Sequence, residues 1–210
     1  MRHRVPSNPH PTRRPVIAAP AVRLATVIAV FTTGAAIAQV DVDAADPPAL
    51  PGIEAMQSLD RFIGEWSMEG VTTEGRDPTP VGVEFTATQS VWWIDPGRSL
   101  AVEWVVELEG GDEVSSGRGR IAYDEAAGAV LNIYSGRDRG RPFTGSATLV
   151  GFDGSALDWR GHETSGSGAS VNFEVTYQSS DRGAWVVDFI PTCIDGGGGP
   201  QPGRFIWDRV

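Results

Sequence analysis

The chain has 210 residues, 40% hydrophobic, 9% aromatic and 21% charged, a length and balance that fit one folded domain with an N-terminal extension. All 17 basic residues are Arg and none is Lys, which excludes Schiff-base chemistry, a pyridoxal phosphate anchor and the lysine-bearing phosphate loop. A single cysteine, Cys193, rules out an intrachain disulfide, a four-cysteine zinc site and a C-x-x-C-H haem attachment.

The first 38 residues carry five Arg and no acidic residue, followed by an apolar run from Leu24 to Ile37 and the triplet Ala36, Ile37, Ala38. This pattern predicts a secretory signal peptide over residues 1–38, cut after Ala38, and an exported protein, periplasmic or extracellular. The apolar run is about 14 residues where a membrane helix needs about 20, so no permanent span is expected. Arg13 and Arg14 loosely resemble a twin-arginine signal, although an ordinary positive n-region is the preferred account of them. Without this segment 12 Arg face 27 Asp and Glu, and the formal charge moves from −10 to −15. Such a surface repels phosphate backbones, so nucleic acid is not an expected partner.

Residues 39–52, with three Asp and three Pro, have too little apolar surface to pack and are expected to form a disordered leader. The domain then runs over 53–210. Ile53, Met56, Leu59, Phe62 and Ile63 recur at helical spacing, which predicts a short helix ended by Gly64. Beyond it the period becomes two. Leu100, Val102, Trp104, Val106 and Leu108 alternate with Glu103 and Glu107, and Val171, Phe173, Val175 and Tyr177 alternate with Asn172, Glu174 and Gln178. One dry face and one wet face are the mark of antiparallel strands on a core. Further strands are expected at Trp66 to Thr73, Val81 to Val91, Arg118 to Tyr123, Ala129 to Ser135, Phe143 to Phe152, Ala156 to Arg160, Ala184 to Ile190 and Arg204 to Val210. Turn signals such as Asp95-Pro96-Gly97 and Asp153-Gly154 separate them. The cluster Gly196 to Gly199, with Pro200 and Pro202, is expected to be a flexible loop. No crossover helix interrupts the series, and closing the meander removes its aggregation-prone edges. The expected fold is therefore all-β, a single antiparallel up-and-down barrel of about 8–10 strands with a short N-terminal helix covering one end.

Gly64, Glu65 and Trp66 form a G-x-W where helix meets first strand, and this triplet resembles the start of lipocalins and related calycin barrels. It lies in Leu59-Asp60-Arg61-Phe62-Ile63-Gly64-Glu65-Trp66, with Gly70 following and Trp207 and Arg209 in the last strand. The segment Gln89 to Glu107, with its aromatic pair and Gly-Arg-Ser-Leu, and the Ile-Ala-Tyr-Asp of residues 121–124 extend the likeness. Together they resemble a bacterial family of uncharacterised lipocalin-like domains. The resemblance implies a calycin-type barrel in which Gly64 and Trp66 shape the closed end and Arg209 or Arg204 stacks on the indole. It implies no catalytic residue. The absent disulfide departs from many secreted lipocalins.

His162 is the only histidine after residue 38, which excludes multi-histidine metal sites and H-E-x-x-H. A haem barrel of the nitrobindin type would have to use it as axial ligand, and its glycine-rich flanks argue for an ordinary surface residue instead. No cofactor or metal is called for. Glu103 and Glu107, four residues apart on one strand, are about 13 Å apart, outside both glycosidase spacings. Arg137, Arg139 and Arg141, in an expected loop after Tyr134, form a positive spot that could catch an anionic head group, although Asp138 among them could neutralise it. Cys193 reads as a small buried apolar residue. Trp104, Trp159, Phe173, Tyr177, Trp185, Phe189 and Phe205 fall on dry faces and either line a cavity or fill the barrel. The leading expectation is a small apolar or amphipathic ligand bound inside the barrel without covalent chemistry. Two alternatives are an isomerase-, cyclase- or hydratase-type barrel enzyme, marked by a buried carboxylate of raised pKa, and an interaction or inhibitor protein with a solid interior.

Overall fold

A computed structural model describes residues 52–72, 81–195 and 202–210, the side chains of Ile53 and of residues 193–195 excepted. The expected signal peptide, the leader before Gly52, the Gly196 to Gly199 loop and the environment of the Cys193 thiol lie outside the described residues.

The helical spacing produces two short pieces, helix α1 (Gly52–Gln57) and a 3₁₀ segment (Ser58–Phe62). Ala55, Met56, Leu59 and Phe62 are buried. The tighter winding of the second piece keeps Leu59 and Phe62, three residues apart, on one side. Ten strands follow among the described residues: β1 (Gly64–Val71), β2 (Glu84–Asp95), β3 (Ser99–Leu108), β4 (Glu113–Asp124), β5 (Ala129–Asp138), β6 (Arg141–Phe152), β7 (Ala156–Ser165), β8 (Ser170–Ser179), β9 (Trp185–Asp195) and β10 (Gly203–Arg209). Each pairs antiparallel with its sequence neighbours, and β10 closes on β1 through Trp66 opposite Arg209 and Ser67 opposite Asp208. The result is the expected closed up-and-down barrel.

Alternation sets the core. Phe85, Ala87 and Val91, then Leu100, Val102, Trp104 and Val106, then Val171, Phe173 and Val175 are all buried, while Glu103, Glu107 and Glu174 face solvent. Each large apolar side chain withdrawn from water contributes about 1.5–3 kcal/mol.

Several strands run beyond the limits their apolar pattern predicts: β2 reaches Asp95, β5 Asp138 and β9 Asp195, and β4 and β7 are extended by stretches of small residues. β4 begins at Glu113 rather than Arg118, and β7 continues through His162 to Ser165 rather than stopping at Arg160. The added stretches are rich in Gly and Ser, so they show no alternation, yet both their neighbours supply a ladder. Their smallness is used: a β-carbon on Gly117 would land on the Trp104 ring, and one on Gly161 on the Phe173 ring.

The Arg cluster also differs from its expected loop. Arg137 belongs to β5 and Arg141 opens β6, leaving a two-residue turn of Arg139 and Gly140 with φ of 49° and 74°. A hairpin with both central residues at positive φ matches the right-handed strand twist, so it needs no longer loop.

Candidate functional site

The helical segment sits over one end of the barrel. Tyr123 of β4 packs against Gly52, Arg61 Nη1 donates to the Gly154 carbonyl at 2.6 Å, and Trp93 Nε1 donates to Asp60 Oδ1 at 3.0 Å. The closing group is the expected one. Trp66 is buried, its Nε1 donates to the Phe62 carbonyl at 2.7 Å, Arg209 Nη2 donates to the Ile63 carbonyl at 2.8 Å, and the guanidinium lies 5.4 Å from the Trp66 ring centre. Gly64 takes φ 139°, closed to ordinary side chains, and leaves that guanidinium its place. Arg204, the other candidate, instead meets Asp188 on the outer surface at 3.5 Å.

The interior divides in two. In the half away from the helix, aromatic rings meet one another inside the barrel: Trp104 against Phe143 (6.2 Å between centres), Tyr134 against Phe173 (6.5 Å) and Phe173 against Phe189 (5.5 Å). In the helix half, Phe62 stacks on Trp185 at 4.3 Å and meets Tyr177 edge-on at 5.1 Å. Between them is a chamber lined by Leu59 and Phe62 from above and by Gln89, Val91, Val102, Ile121, Asn132, Ala147, Trp159, Val175 and Tyr177 around the wall. The volume open to the centre of a water molecule is about 30 Å³, where one water needs about 10–15 Å³.

No lining side chain is charged. Burial pushes the Tyr177 phenol up to about 12, so it stays a neutral donor. Asn132 Oδ1 is buried without a hydrogen-bond partner, as are Trp104 Nε1, Tyr134 OH and Ser99 Oγ. Buried polar atoms are almost always paired with protein or water, so an amide oxygen without a protein partner at a chamber wall is a place for a water or for a donor on a ligand.

Of the aromatic residues singled out by pattern, Trp159 and Tyr177 line the chamber. Trp104, Phe173 and Phe189 belong to the ring cluster away from the helix, Trp185 backs Phe62, and Phe205 is core on β10. Arg137, Arg139 and Arg141 are at the opposite end, Arg137 and Arg141 exposed and Arg139 Nη1 at 3.1 Å from Asp138 Oδ2. Five residues of β5 separate Asn132 from Arg137, about 17 Å, so chamber and Arg hairpin are not one site. His162 is exposed on β7, exchanging hydrogen bonds with Asn172 (2.7 Å) and Thr164 (3.0 Å).

Pattern reading passed over Gln89, Asn132 and Glu163. Each is a polar residue on an inward position: Gln89 between Ala87 and Val91, Asn132 between Val130 and Tyr134, Glu163 two beyond Gly161. Glu163 lies toward the end where those rings meet. Burial and then the Asp138 carboxylate push its carboxyl up to about 8, and it contributes with burial to holding the Tyr134 phenol well above its ordinary value.

Among the described residues, no group of three or more His, Cys, Asp or Glu is placed to hold a metal, and no helix is long and apolar enough to cross a membrane. No protein-family model matches the chain, and no curated protein matches it. Fold and chamber define it as a helix-capped, closed ten-stranded barrel.

Proposed function

We propose that this is an exported binding protein of lipocalin-like type that holds a small molecule non-covalently in the chamber beneath its helix. The observation that carries this reading is the chamber itself, lined by apolar side chains, two amides and a phenol beneath the helical cap. A void of about 30 Å³ costs roughly 1 kcal/mol in lost packing, and an amide oxygen with no protein partner adds to that cost unless a water or a ligand meets it. A leucine at position 132 would remove both costs, so the sequence keeps a feature that folding alone disfavours. A ligand larger than one or two waters enters by displacing Leu59 and Phe62, which ride on the helical cap rather than on the barrel wall. Export rests on the composition of residues 1–38.

Native mass spectrometry of protein purified from its own host envelope tests the reading. A reproducible excess mass that dissociates on activation is expected. A consistently bare protein whose Trp emission is also unmoved by small apolar and amphipathic compounds would overturn it.

A second reading, acid–base catalysis, is favoured by Glu163, a carboxyl largely withdrawn from water and protonated near neutrality beside a phenol with no partner for its hydroxyl. A group poised near the working pH can both give and take a proton. It stands second because Glu163 is four residues of β7, about 13 Å, from Trp159 and the chamber.

A further inference from the structure

The chamber also restricts the chemistry of its occupant. Its wall offers two amides, Gln89 and Asn132, and one phenol, Tyr177, among eight apolar side chains. A net charge placed there meets no counter-charge. The Arg hairpin that could have received an anionic head is about 17 Å away along β5, beyond Tyr134, Phe143 and Phe173 of the ring cluster. Glu163 is on that far side too. Moving a charge into such surroundings unpaired costs far more than burying a neutral polar group. A wholly apolar occupant is also a poor match, because it leaves the Asn132 amide oxygen unpaired, and an amide can meet either a donor or an acceptor by turning about its terminal bond.

Resting on the reading that the chamber binds a ligand, we infer that the ligand is an uncharged molecule with one hydrogen-bonding group, seated on Asn132, and an apolar remainder lying among Val91, Val102, Val175 and Trp159. Fatty-acid carboxylates and phosphorylated compounds are thereby excluded as occupants, and small alcohols, phenols and amides of apolar molecules are favoured.

Three probes of nearly equal shape test this on the full exported chain: phenol, toluene and benzoate, followed by the shift of the Trp159 indole N–H resonance. Phenol is expected to bind at least ten-fold more tightly than toluene, and benzoate not measurably. In Asn132→Ala, which removes the amide without filling the chamber, the preference for phenol should vanish while toluene binds as well or better, which also reports that the variant is folded. Equal binding of phenol and toluene to the wild type, benzoate binding as tightly as phenol, or a phenol preference that survives in Asn132→Ala would each overturn the ligand class while leaving a binding chamber. If none of the three moves Trp159, the binding reading falls and the ligand class with it.

Discussion

Glu163 carries a carboxyl largely withdrawn from water inside this barrel. Its carboxyl is pushed from an ordinary 4.5 up to about 8 by burial and by Asp138. Between those values the unfolded chain gives up its proton and the folded chain keeps it, so this residue's contribution to stability falls as pH rises across the window and is level on either side. Glu163→Gln removes the titration. Its stability should match wild type near pH 4 and exceed it near pH 8.5 by on the order of a few kcal/mol, as read from urea melts at the two values. Parallel curves for the two proteins would show that the side chain is not withdrawn from water. The same residue illustrates what pattern reading could recover. Glu163, Gln89 and Asn132 all break the dry parity of their strands, which is visible in sequence once a strand's limits are known. Those limits were misjudged for β7, where Gly161 and His162 carry no apolar signal, so Glu163 fell off the end of the expected strand. For Gln89 and Asn132 the strands were right and the polar residue on the inward side was the clue passed over.

At the scale of elements, strands announced themselves wherever both partners of the alternation were large, as in β3 and β8. They were hidden where glycine made room for a neighbour's ring, as in the first half of β4 beneath Trp104. The Arg hairpin looked like a loop because charge dominates it, while its register depends on a turn of only two residues. The helical cap was legible from spacing, and its attachment to the last strand from the pairing of Trp66 with a late Arg. That attachment is specific enough to test. Arg209 contributes one hydrogen bond to the Ile63 carbonyl and a cation over the Trp66 ring, together worth about 1–2 kcal/mol at an exposed position. Arg209→Ala should lower stability by that amount and speed amide exchange selectively in residues 52–63, with Arg209→Lys intermediate because it lacks the planar fork. Exchange in the cap that is unchanged in Arg209→Ala would mean that the guanidinium holds nothing down.

The whole molecule is a compromise between closure and occupancy. Joining β10 to β1 removes both sheet edges, the usual route by which strands recruit other chains. The rings away from the cap then pack against one another as part of the core. What remains under the cap could have been filled by the same means, with one apolar side chain in place of Asn132. Sequence could establish that rings face inward, but not whether they meet, because that depends on barrel diameter and on where small residues fall around the circumference. The deciding property of the molecule is therefore whether the chamber is kept at the expense of stability. Equilibrium unfolding of Asn132→Leu, in the absence of any added compound, addresses this directly. A variant more stable than wild type by about 1–3 kcal/mol is the predicted result, and a variant less stable than wild type would contradict it by showing that the amide already has its partners within the folded protein.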